Sequence, residues 1–302
     1  MAVPQYHYRS LDLSRDAIRL VRLCKGYDGP LRCELFESFL HDCDGVPYCA
    51  LSYTWGGTVK QHEITINGCT FFITENLYWA LWNLREQHVD LGQMRNIYEN
   101  AEEVVVWLGI GSPVLDTAMD VLDRVNRYIN HTNNWKRSKE IWLSELKHRR
   151  ELFFAGLEQG QIEKQQQALQ VLFNNPWFKR IWIIQEVAHA KRATIFCDRR
   201  SVPARALAIA PPFIRYHPEK HVQAIPDVMP GFHRHESWWM RQRTLNNLLE
   251  KFQDSEATDT RDKVYALLEM AVDVQGVISP DYEVSEGAVV QRVAAFLFLE
   301  TW

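Results

Sequence analysis

The segment Pro176-Trp-Phe-Lys-Arg-Ile-Trp-Ile-Ile-Gln-Glu-Val-Ala188 carries a carboxylate late in an otherwise apolar run. Read as one helix, it sets Trp182 and Glu186 one turn apart on the same face, with His189 three residues beyond Glu186. Burying a carboxylate costs several kcal/mol unless a partner offsets the loss of water, about what desolvating an ion requires. Two readings follow. Glu186 pairs with Arg180 or Lys179 at a helix edge, or it is a poised carboxylate with work to do on a substrate.

Ser52-Tyr-Thr-Trp-Gly-Gly57 is the second candidate. A strand that ends in a glycine turn delivers its side chains to the carboxyl edge of a sheet, where ligands collect in open α/β folds. Ser52, Tyr53, Trp55 and Gly56 placed there can hold a sugar or stack on a base, unless Tyr53 and Trp55 are simply core anchors. Metal binding is rejected: His217 and His221 have i, i+4 spacing, but they fall in a proline-rich stretch where no helix is expected. None of the glycine-rich phosphate loops, and no G-x-S-x-G elbow, is present.

The elements that must position these residues follow from periodicity. Tyr48 to Gly57 reads as a buried strand running into a glycine turn, and the apolar run Glu103 to Gly109 as a strand covered on both faces, as in a parallel sheet with helices around it. Asn67-Gly68 joins two alternating runs as a hairpin. Thr74 is placed to cap a helix with apolar positions Leu77, Ala80, Leu81 and Leu84, and a short helix carries Met94, Ile97, Tyr98 and Ala101. Ser112-Pro113 and Asn175-Pro176 each supply a cap and a first-position proline. Arg192 to Cys197 is a further strand. Prolines between 203 and 230 are expected to break regular structure, after which Arg261 to Ala271 and Ser285 to Glu300 resume helical spacing and stop at Trp302 with no end signal.

Composition bounds the rest. The chain has 302 residues, 46% hydrophobic and 24% charged, with a net charge of −4, so it is globular and offers no general attraction to nucleic acid or an anionic membrane. No apolar run has the length of a spanning helix and the start is too charged for a signal peptide, which predicts a cytoplasmic protein. Six cysteines without a C-x-x-C pair read as reduced thiols, and eleven tryptophans as aromatic anchors of a core.

Several of these blocks resemble the fungal heterokaryon incompatibility (HET) domain: Tyr48-Cys-Ala-Leu-Ser-Tyr-Thr-Trp-Gly56, Ile73-Thr-Glu-Asn-Leu77, Gln93-Met-Arg-Asn-Ile-Tyr98 with Ala101, Val104 to Gly109, Trp177 to Trp182 with Gln185-Glu186, Arg261-Asp-Lys-Val-Tyr-Ala-Leu-Leu268 and Asp281-Tyr282. The resemblance implies a module of non-self recognition and programmed death of fused cells. HET domains are distantly similar to TIR domains, some of which cleave NAD, and Trp182 with Glu186 is similar to the TIR segment that carries the catalytic glutamate. It implies Glu186 as catalytic residue, stabilising the oxocarbenium-like charge as nicotinamide leaves, with Ser52, Tyr53, Trp55, Gly56, Arg180 and Trp182 binding NAD as substrate; no cofactor or metal is implied.

The expected architecture is α/β: a mostly parallel, TIR-like sheet flanked by helices, with a helical C-terminal portion. Residues 1–47 form an N-terminal extension, 48–200 the HET core, 201–237 a proline-rich excursion and 238–302 a truncated helical portion. HET domains carry a Trp-Ile-Asp-Ala-Ile-Cys-Ile-Asn-Gln-like run for which Arg85 to Gln93 leaves no room, so one strand of the sheet is expected to be missing, unless another segment fills its place. Three functions compete: a cell-death effector acting through NAD cleavage, a non-enzymatic signalling module working by association with a protein partner or a second copy of itself, and an inactive remnant lacking a core strand.

Overall fold

The computed structural model describes residues 4–11, 17–26, 29–39, 48–85, 90–92, 97–130, 150–151, 153–231, 234–235, 237–274 and 276–299. Met94 and Trp302, singled out above, lie outside the described residues. The chain divides into two compact units, the first comprising Met1–Asp123 and His189–Ala204, the second Arg124–Ala188 and Arg205–Trp302.

The first unit holds a nine-stranded sheet. Its strands are β1 (Ala17–Leu23), β2 (Arg32–Phe39), β3 (Cys49–Tyr53), β4 (Lys60–Ile66), β5 (Cys69–Thr74), β6 (Asp90–Gly92), β7 (Glu103–Trp107), β8 (Ala193–Cys197) and β9 (Arg200–Pro203), ordered β5-β4-β2-β1-β6-β3-β7-β8-β9. The expectation of a mostly parallel sheet is corrected to a mixed one. Strands β6, β3, β7 and β8 run parallel to one another, as do β2 and β4, whereas β1 pairs antiparallel with both neighbours and the β4–β5 and β8–β9 hairpins close the two edges. Hairpins with turns this short can only be antiparallel. In the first of them Asn67 and Gly68 both adopt positive φ, and the register Ile66↔Cys69 follows from that turn.

The place expected to be vacant is filled. Asp90–Gly92 pairs with β1 on one side and β3 on the other, so three residues bridge the sheet where a full strand was expected to be lost. The region before residue 48 is likewise part of the sheet through β1 and β2.

Strand β7 is buried from Val104 to Trp107, as its apolar run requires. Helix α1 (Glu75–Arg85) lays Ala80, Leu81 and Leu84 into the core beside Ile64, Ile66, Val105 and Trp107. Thr74 does not cap it: its hydroxyl is buried and has no hydrogen-bond partner. Helix α2 (Ile97–Asn100) is a single turn. Helix α3 (Pro113–Asn130) starts as predicted, with the Leu115 amide donating to Ser112 Oγ at 3.3 Å and the proline at its first position.

The second unit is helical. It contains α4 (Gln159–Phe173), α5 (Ile183–Ala188), α6 (Ala204–Phe213), α7 (Lys220–Val228), α8 (Leu245–Phe252), α9 (Asp262–Leu268) and α10 (Glu286–Leu299), with 3₁₀ turns at Pro176–Lys179 and Trp238–Met240. Two expectations are corrected here. The run from Pro176 to Ala188 is not one helix, because its first turn is 3₁₀ and the backbone at Arg180 is extended and bridged to Glu256. The proline-rich span nonetheless carries α6 and α7: Pro203 and Pro218 precede them, and Pro211, Pro212 and Pro226 fall in their last turns, where each removes one backbone hydrogen bond that packing must offset. Burial of Leu207, Phe213, Val222, Ile225 and Val228 holds these short helices in place, each large side chain contributing about 1.5–3 kcal/mol. No described helix is long and apolar enough to cross a membrane.

Candidate functional site

In the first unit the sequence blocks around β3, α1 and β7 converge on one side chain, Asn76. Its carboxamide oxygen accepts a hydrogen bond from Trp107 Nε1 at 2.9 Å, and its nitrogen donates to the Thr54 carbonyl at 2.7 Å and to Thr54 Oγ1 at 3.3 Å. Trp107 is fully buried, so its indole N–H must find an acceptor inside the protein. Gly56 has φ +67, and a Cβ there would stand 2.8 Å from Asn76 Cβ, so only glycine lets the loop lie this close. The carboxyl ends of β3 and β7 are thereby tied together by a single amide.

The side chains proposed to bind at this edge separate by exposure. Ser52 is fully buried within β3 and Tyr53 is half-buried, whereas Trp55 is 53% exposed with its ring 5.3 Å from that of Tyr53. Gly56 serves the turn rather than a ligand, by the steric argument just given. Trp55 is the member of this group that faces solvent broadly.

In the second unit, Glu186 lies in α5 with its side chain 7% exposed, and Arg180 Nη2 stands 3.9 Å from its Oε1. This is the pairing the basic neighbours predicted, with Arg180 as partner, while Lys179 reaches Glu256 at 4.0 Å. The extended backbone at Arg180 brings this about: Ile181 donates to the Glu256 carbonyl at 3.0 Å and Glu256 donates back to Lys179 at 2.6 Å. The Glu186 amide reaches the Trp182 carbonyl at 3.4 Å, so the expected one-turn relation holds although Trp182 precedes the helix.

Trp182 leads to residues that sequence reasoning did not select. Its Nε1 donates to Asp262 Oδ2 at 3.1 Å, and Tyr282 Oη donates to Asp262 Oδ1 at 2.7 Å. Burial and this hydrogen bond push the Tyr282 hydroxyl up to about 12. Beside it Arg261 chelates Asp259 through Nε and Nη2 at 2.9 and 2.6 Å, which holds the Asp259 carboxyl below its usual range. Asp262 and Asn76 both sit inside family-like blocks, each polar beside a helical apolar pattern. That was the available signal, but a polar residue near a helix start reads first as a cap. Among the described residues no group of three or more His, Cys, Asp or Glu is arranged to hold a metal ion, and His217 lies before α7 while His221 lies within it.

The family model described as heterokaryon incompatibility protein (HET) matches residues 83–186, from the last turn of α1 to Glu186 itself. Residues 83–186 are thus similar to the HET domain. The opening blocks at Tyr48–Gly56 and Ile73–Leu77 precede the matched span, but similarity extends beyond it: heterokaryon incompatibility protein 6, OR allele, of Neurospora crassa is 27% identical over 373 aligned positions covering 99% of this chain and 53% of that protein. The alignment is longer than the chain, so the relative contains stretches with no counterpart here. The chain spans about half the length of this curated relative. No solved structure gives a significant match.

Proposed function

We propose that this chain is the incompatibility module of a fungal protein of non-self recognition, and that it promotes the death of fused cells by associating with a protein partner in the cytoplasm rather than by cleaving NAD. The family reading is supported by the HET match and by the Neurospora relative, whose name is that of an incompatibility protein. The observation that carries the mechanism is the state of Glu186, enclosed in the second unit with Arg180 beside it. A carboxylate that binds ribose hydroxyls needs an open face, and Glu186, nearly enclosed with a guanidinium 3.9 Å away, presents little of one.

Association is also the reading that suits Trp55, whose large exposed ring is of the kind that anchors protein interfaces. The experiment is inducible expression of the chain in a fungal host, comparing wild type with Glu186→Gln and Trp55→Ala. Growth arrest that survives Glu186→Gln and is relieved by Trp55→Ala supports association. Arrest abolished by Glu186→Gln in a variant that folds normally supports NAD cleavage instead.

A further inference from the structure

We infer that residues 281–284 form a latch that controls the turn carrying Trp182 and Glu186, with the Asp262 carboxylate as the relay between them. The latch is held from three directions. Arg261 Nη1 donates to the carbonyls of Tyr282 and Val284 at 2.8 and 2.9 Å, while its remaining nitrogens are fixed by Asp259. Tyr265 Oη donates to the Asp281 carbonyl at 2.7 Å, and its ring meets Tyr282 edge-on at 5.2 Å. From α10, Arg292 reaches Asp281 at 3.4 Å.

Asp262 divides its two oxygens. Oδ1 takes the Tyr282 hydroxyl and Oδ2 takes the Trp182 indole, which lies 80 residues away in sequence. A carboxylate turns as a rigid plane, so losing the bond on one oxygen frees it to rotate and slackens the bond on the other. Trp182 in turn begins α5, where the amides of Ile184 and Glu186 donate to the carbonyls of Ile181 and Trp182 at 3.2 and 3.4 Å. Those bonds are long, and a six-residue helix has little stability of its own, so the order of this turn depends on its tertiary anchors. Tyr282 is 50% exposed on an irregular segment, which leaves it open to a partner that would take up its ring and release the relay.

The coupling is independent of whether the chain cleaves NAD, and its test reads backbone dynamics alone. Hydrogen exchange of the intact chain is measured for Tyr282→Phe, Trp182→Phe and the double variant. A bond to a charged acceptor is involved, so Tyr282→Phe accelerates exchange at Ile184 and Glu186 about tenfold, and adds nothing further once Trp182→Phe is present. Acceleration confined to the 283–289 amides, or single-variant factors that multiply in the double variant, overturns the relay. Should Trp182→Phe not fold, Asp262→Asn serves in its place: it must itself accelerate exchange at Ile184 and Glu186, and unchanged exchange there refutes the inference.

Discussion

Replacing Asn76 with alanine removes one side chain and three hydrogen bonds, and the cost can be worked out from its partners. Trp107 Nε1 loses its acceptor in a fully buried site, a penalty of about 1–3 kcal/mol for an unsatisfied donor. The Thr54 carbonyl and hydroxyl lose a donor at a part-buried position, worth roughly 1 kcal/mol more because water can take its place. The alanine keeps Cβ, so the contact with Gly56 survives and no cavity term arises from that direction. The sum is about 2–4 kcal/mol. At 1.4 kcal/mol per tenfold, protection of the Val104 to Val106 amides in native-state hydrogen exchange should fall by roughly 30- to 1,000-fold. A loss under about fivefold would refute the claim that Asn76 joins the two strand ends. Asn76→Asp keeps an acceptor for Trp107 but sets a carboxylate oxygen against the Thr54 carbonyl, so it should cost at least as much as alanine.

Gly56→Ala forces a left-handed residue to carry a Cβ that meets Asn76, and should destabilise by at least about 1–2 kcal/mol in urea unfolding, more than Gly68→Ala, whose Cβ meets nothing. Glu186→Gln breaks an ion pair whose arginine is a quarter exposed, so it should cost about 1–3 kcal/mol, read as a lower denaturation midpoint at unchanged slope. The Tyr282 hydroxyl is neutral in the fold to about 12 but ionises at 10.0 when unfolded. Its stabilisation is therefore complete below pH 10 and lost between 10 and 12, and the stability gap between wild type and Tyr282→Phe should close across that window.

Much of the scaffold was legible because local chemistry decides it. The Asn67-Gly68 turn, the buried run of β7 and the Ser112-Pro113 start of α3 are each dictated by residues within a few positions of one another. The antiparallel pairings of β1 were not, since those with β2 and β6 are made across 10 to 22 and 68 to 72 residues. The break at Arg180 was invisible for the same reason: helical periodicity runs through it, but Glu256, distant in sequence, captures the backbone on both sides. Proline was over-read as a breaker, because burial of Leu207, Phe213, Val222, Ile225 and Val228 outweighs the few hydrogen bonds that prolines remove from the last turns of α6 and α7. At the candidate site, the pairing of Glu186 with Arg180 could be anticipated from sequence proximity, whereas the convergence of Trp182, Tyr282 and Asp262 could not, as nothing local links residues 182, 262 and 282.

On the proposal above, Glu186 holds a turn together and does not turn over a substrate. Incubating the purified chain with NAD and quantifying nicotinamide release measures this directly, with Glu186→Gln as the paired sample. NAD should stay intact with both proteins at concentrations where the chain arrests growth in cells. Nicotinamide release by the wild type that disappears in a folded Glu186→Gln variant would contradict it.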